Sequence, residues 1–291
     1  MNRRDFLRLS ATTLAGATTT SCMDPQPTQD LPTGGTEPAM PVAFLSHGAP
    51  TMAIDQVLGA DFRSWAARLP RPRALLVVSA HWLDAPATLG TRTPRGLMYD
   101  FSGFPDELYR LRYAAPVAAE LASSLQKRLP TLRSDDTRPW DHGVWVPLLH
   151  MFPAADVPVL QLSLPYAWSP RQLFDLGRQL APLRQEGVLV LGSGGMVHNL
   201  GRIEWGENTR PAAWATDFEG FVRERLEARA FDDIVAFRDK APAVRLAHPT
   251  DDHFLPLLVA MGAAAAGTGP ITFPIAGFEY GSLSRLAVQF G

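Results

Sequence analysis

The sequence has one cysteine, no cluster of basic residues and no long apolar run. Cys22 is the only cysteine among 291 residues, so the chain cannot form an intrachain disulfide. Lysine and arginine total 27 against 29 aspartate and glutamate, and no run of basic residues provides the positive surface that nucleic acid binding needs. No apolar run reaches the roughly 18 residues that span a bilayer. These absences favour chemistry on a small molecule.

The first 22 residues predict export rather than a folded element. MNRRDFLRLSATTLAGATTTSC joins Arg3-Arg4 to a weakly apolar stretch that ends in small residues, a pattern that resembles a twin-arginine signal. Cys22 stands where a lipoprotein signal places its acylated residue, and residues 23–40 have the composition of a flexible tether. Simple cleavage nearby and an ordinary charged N-terminus are the alternatives. We therefore expect a periplasmic or extracytoplasmic protein with a possible lipid anchor at Cys22.

From residue 41 to residue 291, short apolar runs alternate with longer amphipathic ones. Runs rich in Val and Leu and bounded by Pro or Gly predict strands buried on both faces, at 42–47, 74–81, 157–164 and 188–194. Helical patterns lie between or after them, at 55–68, 116–129, 170–185, 213–228 and 253–264. The C-terminal run predicts two more strands around a Gly-Ser turn that complete the sheet as a hairpin. The order predicts a single α/β domain with a mostly parallel sheet and helices on both faces.

Two of the seven histidines end predicted strands, and a third follows the glycine turn after another. His47, His81 and His198 come at the ends of separate apolar runs, and the carboxyl ends of parallel strands border the ligand crevice of such sheets. His253, at a predicted helix entry, is a natural fourth member. Imidazole binds zinc, iron and copper, so the pattern indicates a metal site at the carboxyl edge of the sheet. The alternatives are structural histidines, and a His253 that is merely exposed after a capping Asp251 or Asp252.

His142 and its neighbour Asp141 precede an apolar helix. A carboxylate beside a histidine can fix its tautomer and make it a proton carrier. The other interpretation makes Asp141 a helix cap and His142 a surface residue. His150, among apolar residues, is expected to be packed in the core, and the five-residue spacing of His248 from His253 does not match one helical face.

The glycine-rich segment 188–201, VLVLGSGGMVHNLG, fits neither a phosphate loop nor a serine nucleophile. Val197 takes the place of the third glycine of a dinucleotide fingerprint, and a P-loop lysine is missing. Leu191 stands where the nucleophile elbow needs glycine. We expect instead a turn of small residues that lets the backbone approach a metal pocket and aims His198 into it.

Six motifs in order identify a family resemblance across residues 41–291. They are SHGAP, SAHW, YDFSGFPDELYRLRYAAP, DHGVWVPLLHMFP, GSGGMVHNL and HPTDDHFLPLL, and the ending GSLSRLAVQFG agrees as well. The chain resembles the 4,5-DOPA dioxygenase extradiol-like proteins, within the class III extradiol ring-cleaving dioxygenases. The resemblance implies that His47, His81 and His253 bind one divalent metal. Better-studied class III enzymes place a glutamate where this sequence has His253, so either Fe(II) or zinc suits the site.

The same resemblance implies roles for the remaining candidates. His198 would be a further metal ligand or the acid/base that removes a catechol proton, and His142 would contact the substrate. Tyr99, Phe101 and Phe104 would enclose an aromatic ring. The implied reaction inserts O₂ into a catechol-type substrate and opens the ring beside the diol. The alternatives are a zinc-dependent hydrolase, and a metal- or ligand-binding protein without turnover. The sequence leaves the oligomeric state open.

Overall fold

A computed structural model describes residues 39–90, 96–204, 206 and 209–291. The predicted export signal and most of the predicted tether lie outside the described residues. Met40 is already buried, and its backbone N–H donates to the carbonyl of Arg184 at 2.9 Å. Met40 is therefore part of the packed domain. Within the described ranges, no helix is long and apolar enough to cross a membrane.

The described strands form an eight-stranded, mostly parallel sheet and a separate pair. The strands are β1 (Val42–Ser46), β2 (Ala74–Leu83), β3 (Thr88–Gly90), β4 (Arg133–Asp135), β5 (Val159–Leu164), β6 (Val188–Gly194), β7 (Ile271–Thr272), β8 (Phe278–Glu279), β9 (Leu283–Ser284) and β10 (Val288–Phe290). The sheet order is β4-β3-β5-β2-β6-β1-β10-β7. Its centre, β5-β2-β6-β1, is parallel throughout. The α/β sheet that the sequence predicts is confirmed.

Alternate residues of each central strand face opposite sides of the sheet, and both sides are buried. In β1, Val42 and Phe44 join one apolar core, while Ala43 and Leu45 join the other. This burial on both faces explains why the central strands read as continuous apolar runs. Helices cover each face, as the alternating pattern predicts.

The helices divide between the two faces. They are α1 (Gln56–Ala66), α2 (Ala119–Arg128), α3 (His142–Met151), α4 (Pro170–Leu180), α5 (Ala213–Glu227), α6 (Phe231–Val235), α7 (Phe237–Lys240), α8 (Val244–Ala247) and α9 (Leu255–Ala264). Helices α2, α4, α5 and α9 contribute to one core, and α1 and α3 to the other. The predicted helix at 170–185 ends earlier as an α-helix, at Leu180, and continues as a 3₁₀ turn over Ala181–Glu186.

The C-terminal segment completes the sheet differently from the simple hairpin that the sequence predicts. β10 pairs antiparallel with β1, and β7 pairs with β10 at the edge. The strands on either side of Gly281-Ser282, β8 and β9, form their own two-stranded sheet. The outer pair therefore extends the main sheet, and the inner pair forms a separate hairpin.

The register of β1 and β6 brings two distant segments to the same edge. Ser46 lies opposite Gly194, so the residues that follow the two strands are neighbours although about 150 positions separate them in sequence. The backbone N–H of His47 donates to the carbonyl of Gly194 at 2.9 Å. The segments that carry His47 and His198 therefore leave the sheet side by side.

Candidate active site

Three histidines converge at the carboxyl edge of the central strands. His47 follows β1, His81 lies within β2, and His253 precedes α9. The Nε2 atoms of His47 and His81 are 3.1 Å apart. The ring centre of His253 lies 5.3 Å from that of His47 and 4.9 Å from that of His81. One nitrogen of each ring lies within 4.8 Å of the other two, a spacing that one metal ion can bridge.

Each of these three rings turns its Nδ1 atom toward a polar partner. The Ser193 hydroxyl donates to the carbonyl of Gly143 at 2.5 Å, so its oxygen accepts from Nδ1–H of His47 at 3.0 Å. The carboxylate of Asp252 accepts from Nδ1–H of His253, and Asp100 Oδ2 lies 3.5 Å from Nδ1 of His81. Such outer partners hold the tautomer whose Nε2 lone pair is free for a metal. The donor set therefore fits one divalent ion.

Burial keeps two of these rings neutral. Desolvation, followed by repulsion from neighbouring histidines, holds the pKa of His47 well below its ordinary value. The same causes, burial first, lower the pKa of His81 to about 2. Neutral imidazole is the form that binds a metal, so these rings do not have to lose a proton near pH 7.

His198 lies against the three-histidine group. Its ring stacks on that of His253, with 3.5 Å between centroids and 3° between planes. Its backbone N–H donates to the carbonyl of Ala247 at 3.0 Å. Burial, and then the charge of His253, lowers the pKa of His198 to about 3. Among the described residues, two groups have donor atoms that all lie within 4.8 Å of one another, and His198 belongs to neither.

His142 lies on the other side of His81, with its carboxylate partner at a distance in sequence. The two ring centres are 4.0 Å apart. Asp100 Oδ1 accepts from both the backbone N–H and Nδ1–H of His142, each at 3.0 Å. The expectation that Asp141 partners His142 is wrong, because the side chain of Asp141 points into the core. There it accepts from the Ser79 hydroxyl at 2.7 Å.

The expectation that Asp141 caps the following helix needs the same correction. Asp141 occupies the position before α3, but its side chain accepts no hydrogen bond from the helix backbone. Asp100 accepts the N–H of His142 instead, from 42 residues away. The surface position considered for His142 is also excluded, since its residue surface is 7% exposed.

The glycine turn after β6 allows segments of the site to approach each other, as the sequence predicts. A methyl group at Gly194 would overlap the carbonyl oxygen of His253, so only glycine leaves room for that backbone. The same carbonyl accepts from the N–H of Gly195 at 2.9 Å. Tertiary contact, rather than an unusual backbone angle, therefore requires glycine at position 194.

A mostly apolar cavity of about 540 Å³ opens above the histidines. His47, His81, His142, His198 and His253 all contribute to its lining. Apolar side chains for which the sequence predicts no role in a binding site, including Val197, Leu200, Ile203 and Leu283, form another part of its wall. This volume falls within the range of small-molecule pockets, and the histidines provide polar groups in an otherwise mostly apolar wall.

The three predicted aromatic residues divide into two roles. Phe101 and Phe104 line the cavity and meet edge to face, with 5.5 Å between ring centres. Tyr99 is not among the lining residues. Its ring packs edge to face on Phe101, and its hydroxyl donates to the carbonyl of Leu111 at 2.7 Å. Tyr99 therefore supports the wall that Phe101 presents.

Comparison with known proteins agrees with this geometry. The family model described as the catalytic LigB subunit of aromatic ring-opening dioxygenase matches residues 41–288. The chain belongs to this family. A 4,5-DOPA dioxygenase extradiol of Escherichia coli K12 is 40% identical over 265 residues, which cover 87% of this chain and 95% of that protein. One from Beta vulgaris is 39% identical, over 76% of this chain and 85% of that protein.

A solved structure shares the fold of this family member. The crystal structure of an uncharacterized protein from Escherichia coli K12 matches with a TM-score of 0.74 and 35% identity, over 87% of this chain and all of that one. Together with the histidine cluster, family membership makes the protein a metal-dependent extradiol ring-cleaving dioxygenase that inserts O₂ into a catechol-type aromatic substrate. These relatives favour neither the zinc hydrolase nor the non-catalytic binding protein.

The two remaining histidines are structural. His150 is buried, and its ring contacts the carbonyl of Met52 at 2.8 Å and Arg63 at 3.0 Å, which confirms the expected core position. His248 is fully buried and its Nε2 lies 2.9 Å from the carbonyl of Met196. Neither residue lines the cavity, so neither is expected to take part in the reaction.

The sequence-based reasoning missed the polar partners of the candidate ligands. Asp100 stands within the YDFSGFP motif, between two of the aromatic residues that the sequence indicates as candidates. Ser193 is the serine of the glycine-rich segment that does not fit a nucleophile, and its hydroxyl supports His47. In both cases a polar residue in a mostly apolar or small-residue motif indicates a buried hydrogen bond. It does not indicate which histidine the residue contacts.

Proposed function

We propose that His47, His81 and His253 hold one divalent metal through their Nε2 atoms, and that a catechol binds beside it in the apolar cavity. The convergence of these three rings under that cavity carries the proposal. The imidazole donors suit Fe(II) or zinc, and Fe(II) held there would supply the redox chemistry that the reaction of a catechol with O₂ needs. Turnover with O₂ favours Fe(II), because zinc has no redox chemistry.

His198 is the acid/base in this proposal. Its ring stacks on His253 instead of completing the three-nitrogen set, and it lines the cavity. A neutral imidazole there can take a proton from the catechol and return it when the ring opens. His142 faces the same cavity from the side of His81 and is proposed to contact the diol. Phe101 and Phe104 enclose the aromatic ring.

Oxygen consumption by metal-loaded protein tests the activity. Protein is reconstituted anaerobically with Fe(II). Its O₂ consumption is then measured in an oxygen electrode with L-DOPA, with an alkylcatechol that has no carboxyl group, and with unsubstituted catechol. We expect one O₂ consumed per ring opened with at least one of them, and both atoms of ¹⁸O₂ in the product. Zinc-loaded protein is expected to consume none. Absence of uptake with every catechol, despite bound iron, would refute the proposed reaction.

Paired histidine variants separate the roles within the site. His81→Gln is expected to lose metal, whereas His198→Gln is expected to keep the metal and lose about 10²- to 10⁴-fold in kcat. His150→Gln is the matched control, because this buried histidine lies outside the cavity. Loss of stoichiometric metal in His198→Gln would make His198 a ligand instead.

We also propose that the protein is exported by the twin-arginine route and processed near Cys22. The support is the pair Arg3-Arg4 and the composition of residues 1–40. Cell fractionation of the wild type and of the double variant Arg3→Lys, Arg4→Lys tests the route, and the variant is expected to stay unexported. Labelling with a radioactive fatty acid, in the wild type and in Cys22→Ser, tests the lipid anchor.

A further inference from the structure

Asp100 contacts two histidines that have different tasks. One carboxylate oxygen accepts from the backbone N–H and from Nδ1–H of His142, each at 3.0 Å. The other oxygen lies 3.5 Å from Nδ1 of His81. The side chain is 19% exposed, so these contacts are only partly screened by water. A single carboxylate thus connects a candidate metal ligand, His81, to His142, a cavity histidine outside the set of His47, His81 and His253.

Contacts made by both sequence neighbours of Asp100 fix its position. Its neighbour Phe101 packs against Trp145 of α3, with 6.2 Å between ring centres, and Tyr99 is anchored to Leu111 through its hydroxyl. The N–H that Asp100 accepts belongs to the first residue of α3, where an anion is favoured by the helix dipole. Contacts that involve none of the three candidate metal ligands therefore define the location of the carboxylate.

We propose that Asp100 is a positioning residue that sets the tautomer and orientation of both His81 and His142. By attracting Nδ1–H of each ring, it leaves Nε2 of His81 free for the metal and Nε2 of His142 free for the substrate. The proposal rests on the proposed function in one respect, since it takes His81 as a metal ligand. It adds that one carboxylate positions both rings, so a change at Asp100 affects metal affinity through His81 and substrate contact through His142.

The proposal distinguishes Asp100 from a direct ligand. His81, Asp100 and His142 have donor atoms close enough to form a second metal set of two histidines and one carboxylate. However, the Asp100 oxygen nearest His142 already accepts two N–H groups. To bind a metal through that oxygen, Asp100 would have to weaken or give up those bonds, and only its other oxygen, 3.5 Å from Nδ1 of His81, could bind one without doing so. The tests below therefore count metal ions as well as measure affinity.

Asp100→Asn is the decisive variant because it keeps the shape but replaces one oxygen by an NH₂ group. If the amide oxygen accepts the two N–H groups of His142, the NH₂ group faces Nδ1 of His81. That donor favours the His81 tautomer with its proton on Nε2, where it blocks the metal. Removal of such an outer partner typically costs 10- to 100-fold in metal affinity.

The first measurement is the dissociation constant of zinc, by competition with a chromogenic chelator at pH 7. We expect Asp100→Asn to raise it about 10- to 100-fold while one zinc per chain still binds at saturation. Asp55→Asn is the matched control, because Asp55 accepts backbone N–H groups at the start of α1, from Val57 at 2.8 Å and Leu58 at 2.9 Å. The control is expected to change zinc affinity less than twofold.

Three results would overturn the proposal. An unchanged zinc affinity in folded Asp100→Asn would show that Asp100 sets neither ring. Complete loss of zinc at saturation would make Asp100 a ligand. Two zinc ions per wild-type chain, with one lost in the variant, would also make it a ligand. Because these measurements need no turnover, they remain decisive if the protein consumes no O₂ with any catechol.

The second measurement needs no variant, and so remains decisive if Asp100→Asn fails to fold. Two-bond ¹⁵N–¹H correlation spectra of metal-free wild-type protein with labelled histidines report which ring nitrogen carries the proton. We expect His81 and His142 to carry it on Nδ1. A His81 ring protonated on Nε2 would contradict the proposal even if zinc binding were normal.

Discussion

Gly143→Ala is the sharpest test of how closely the histidines pack. Gly143 is the second residue of α3 and lies directly beneath the site. A methyl group there would lie 2.5 Å from the Ser79 hydroxyl, 3.1 Å from Nδ1 of His47 and 3.1 Å from Cδ2 of His81. Since ordinary contacts of this kind begin near 3.4 Å, both rings must move away by about 0.3 Å. Metal–ligand distances tolerate only about 0.2 Å.

The expected cost follows from these displacements. Ser79 must move farthest, and its hydroxyl also holds Asp141 at 2.7 Å, so it cannot turn without leaving a buried carboxylate short of a donor. Overpacking of this kind typically destabilises by about 1–3 kcal/mol. We expect Gly143→Ala to lower unfolding free energy by that amount and weaken zinc binding at least about tenfold, as loss of an outer partner does.

Gly220→Ala is the control for this prediction. Gly220 lies within α5, and a methyl group there meets no atom within 4 Å. Because alanine suits a helix better than glycine, this variant is expected to gain up to about 1 kcal/mol with unchanged zinc affinity. Urea denaturation and chelator competition measure both quantities. If Gly143→Ala matches Gly220→Ala in stability and affinity, the packing argument is wrong.

Three further predictions concern acid stability, the cavity wall and the metal. Burial lowers the pKa of His248 to about 3 in the folded state, below the unfolded value near 6.5, so the unfolded chain binds the extra proton between these values. Stability should therefore fall as pH decreases through that window. His248→Gln should reduce the loss between pH 6.5 and 5 by up to about 2 kcal/mol in metal-free urea titrations, and an equal loss in both proteins would contradict this. Phe101→Ala should raise KM for a catechol about three- to tenfold. Tyr99→Phe should leave KM unchanged and cost about 1 kcal/mol of stability, and the opposite pattern would reverse their roles. Zinc at 100 times its dissociation constant should stabilise the folded protein by about 2.7 kcal/mol over chelator-treated protein, measured by thermal or urea denaturation, and an unchanged stability would mean that zinc does not bind preferentially to the folded state.

The sheet was predictable because its central strands are buried on both faces. Burial on both sides makes segments such as 42–47 and 188–194 continuous apolar runs, which is a local signal. The short edge strands β3 and β4 have three residues each and no such pattern. They are held by pairing with neighbours distant in sequence, which no local window records.

The candidate metal ligands were predictable for a related reason. Parallel strands end at one edge, so a histidine after β1 and another late in β2 must approach each other wherever the helices lie. The details were less accessible. β2 continues two residues past His81, to Leu83, and its pairing with β5 is irregular beyond Val78, so His81 lies within the strand rather than at its predicted end.

The sequence by itself determined the main features of the protein: an α/β sheet, histidines at its carboxyl edge and aromatic residues nearby. The sheet and the position of the histidines follow from periodicity and strand direction, which are properties of short segments, whereas the family resemblance implied the place of the aromatic residues. Only the tertiary structure decided which acid serves which histidine. Asp141 is adjacent to His142 in sequence but turns to Ser79, while Asp100 reaches His142 across 42 positions. Hydrogen bonds between side chains depend on where the chain returns in space, and neighbouring positions in sequence do not fix that.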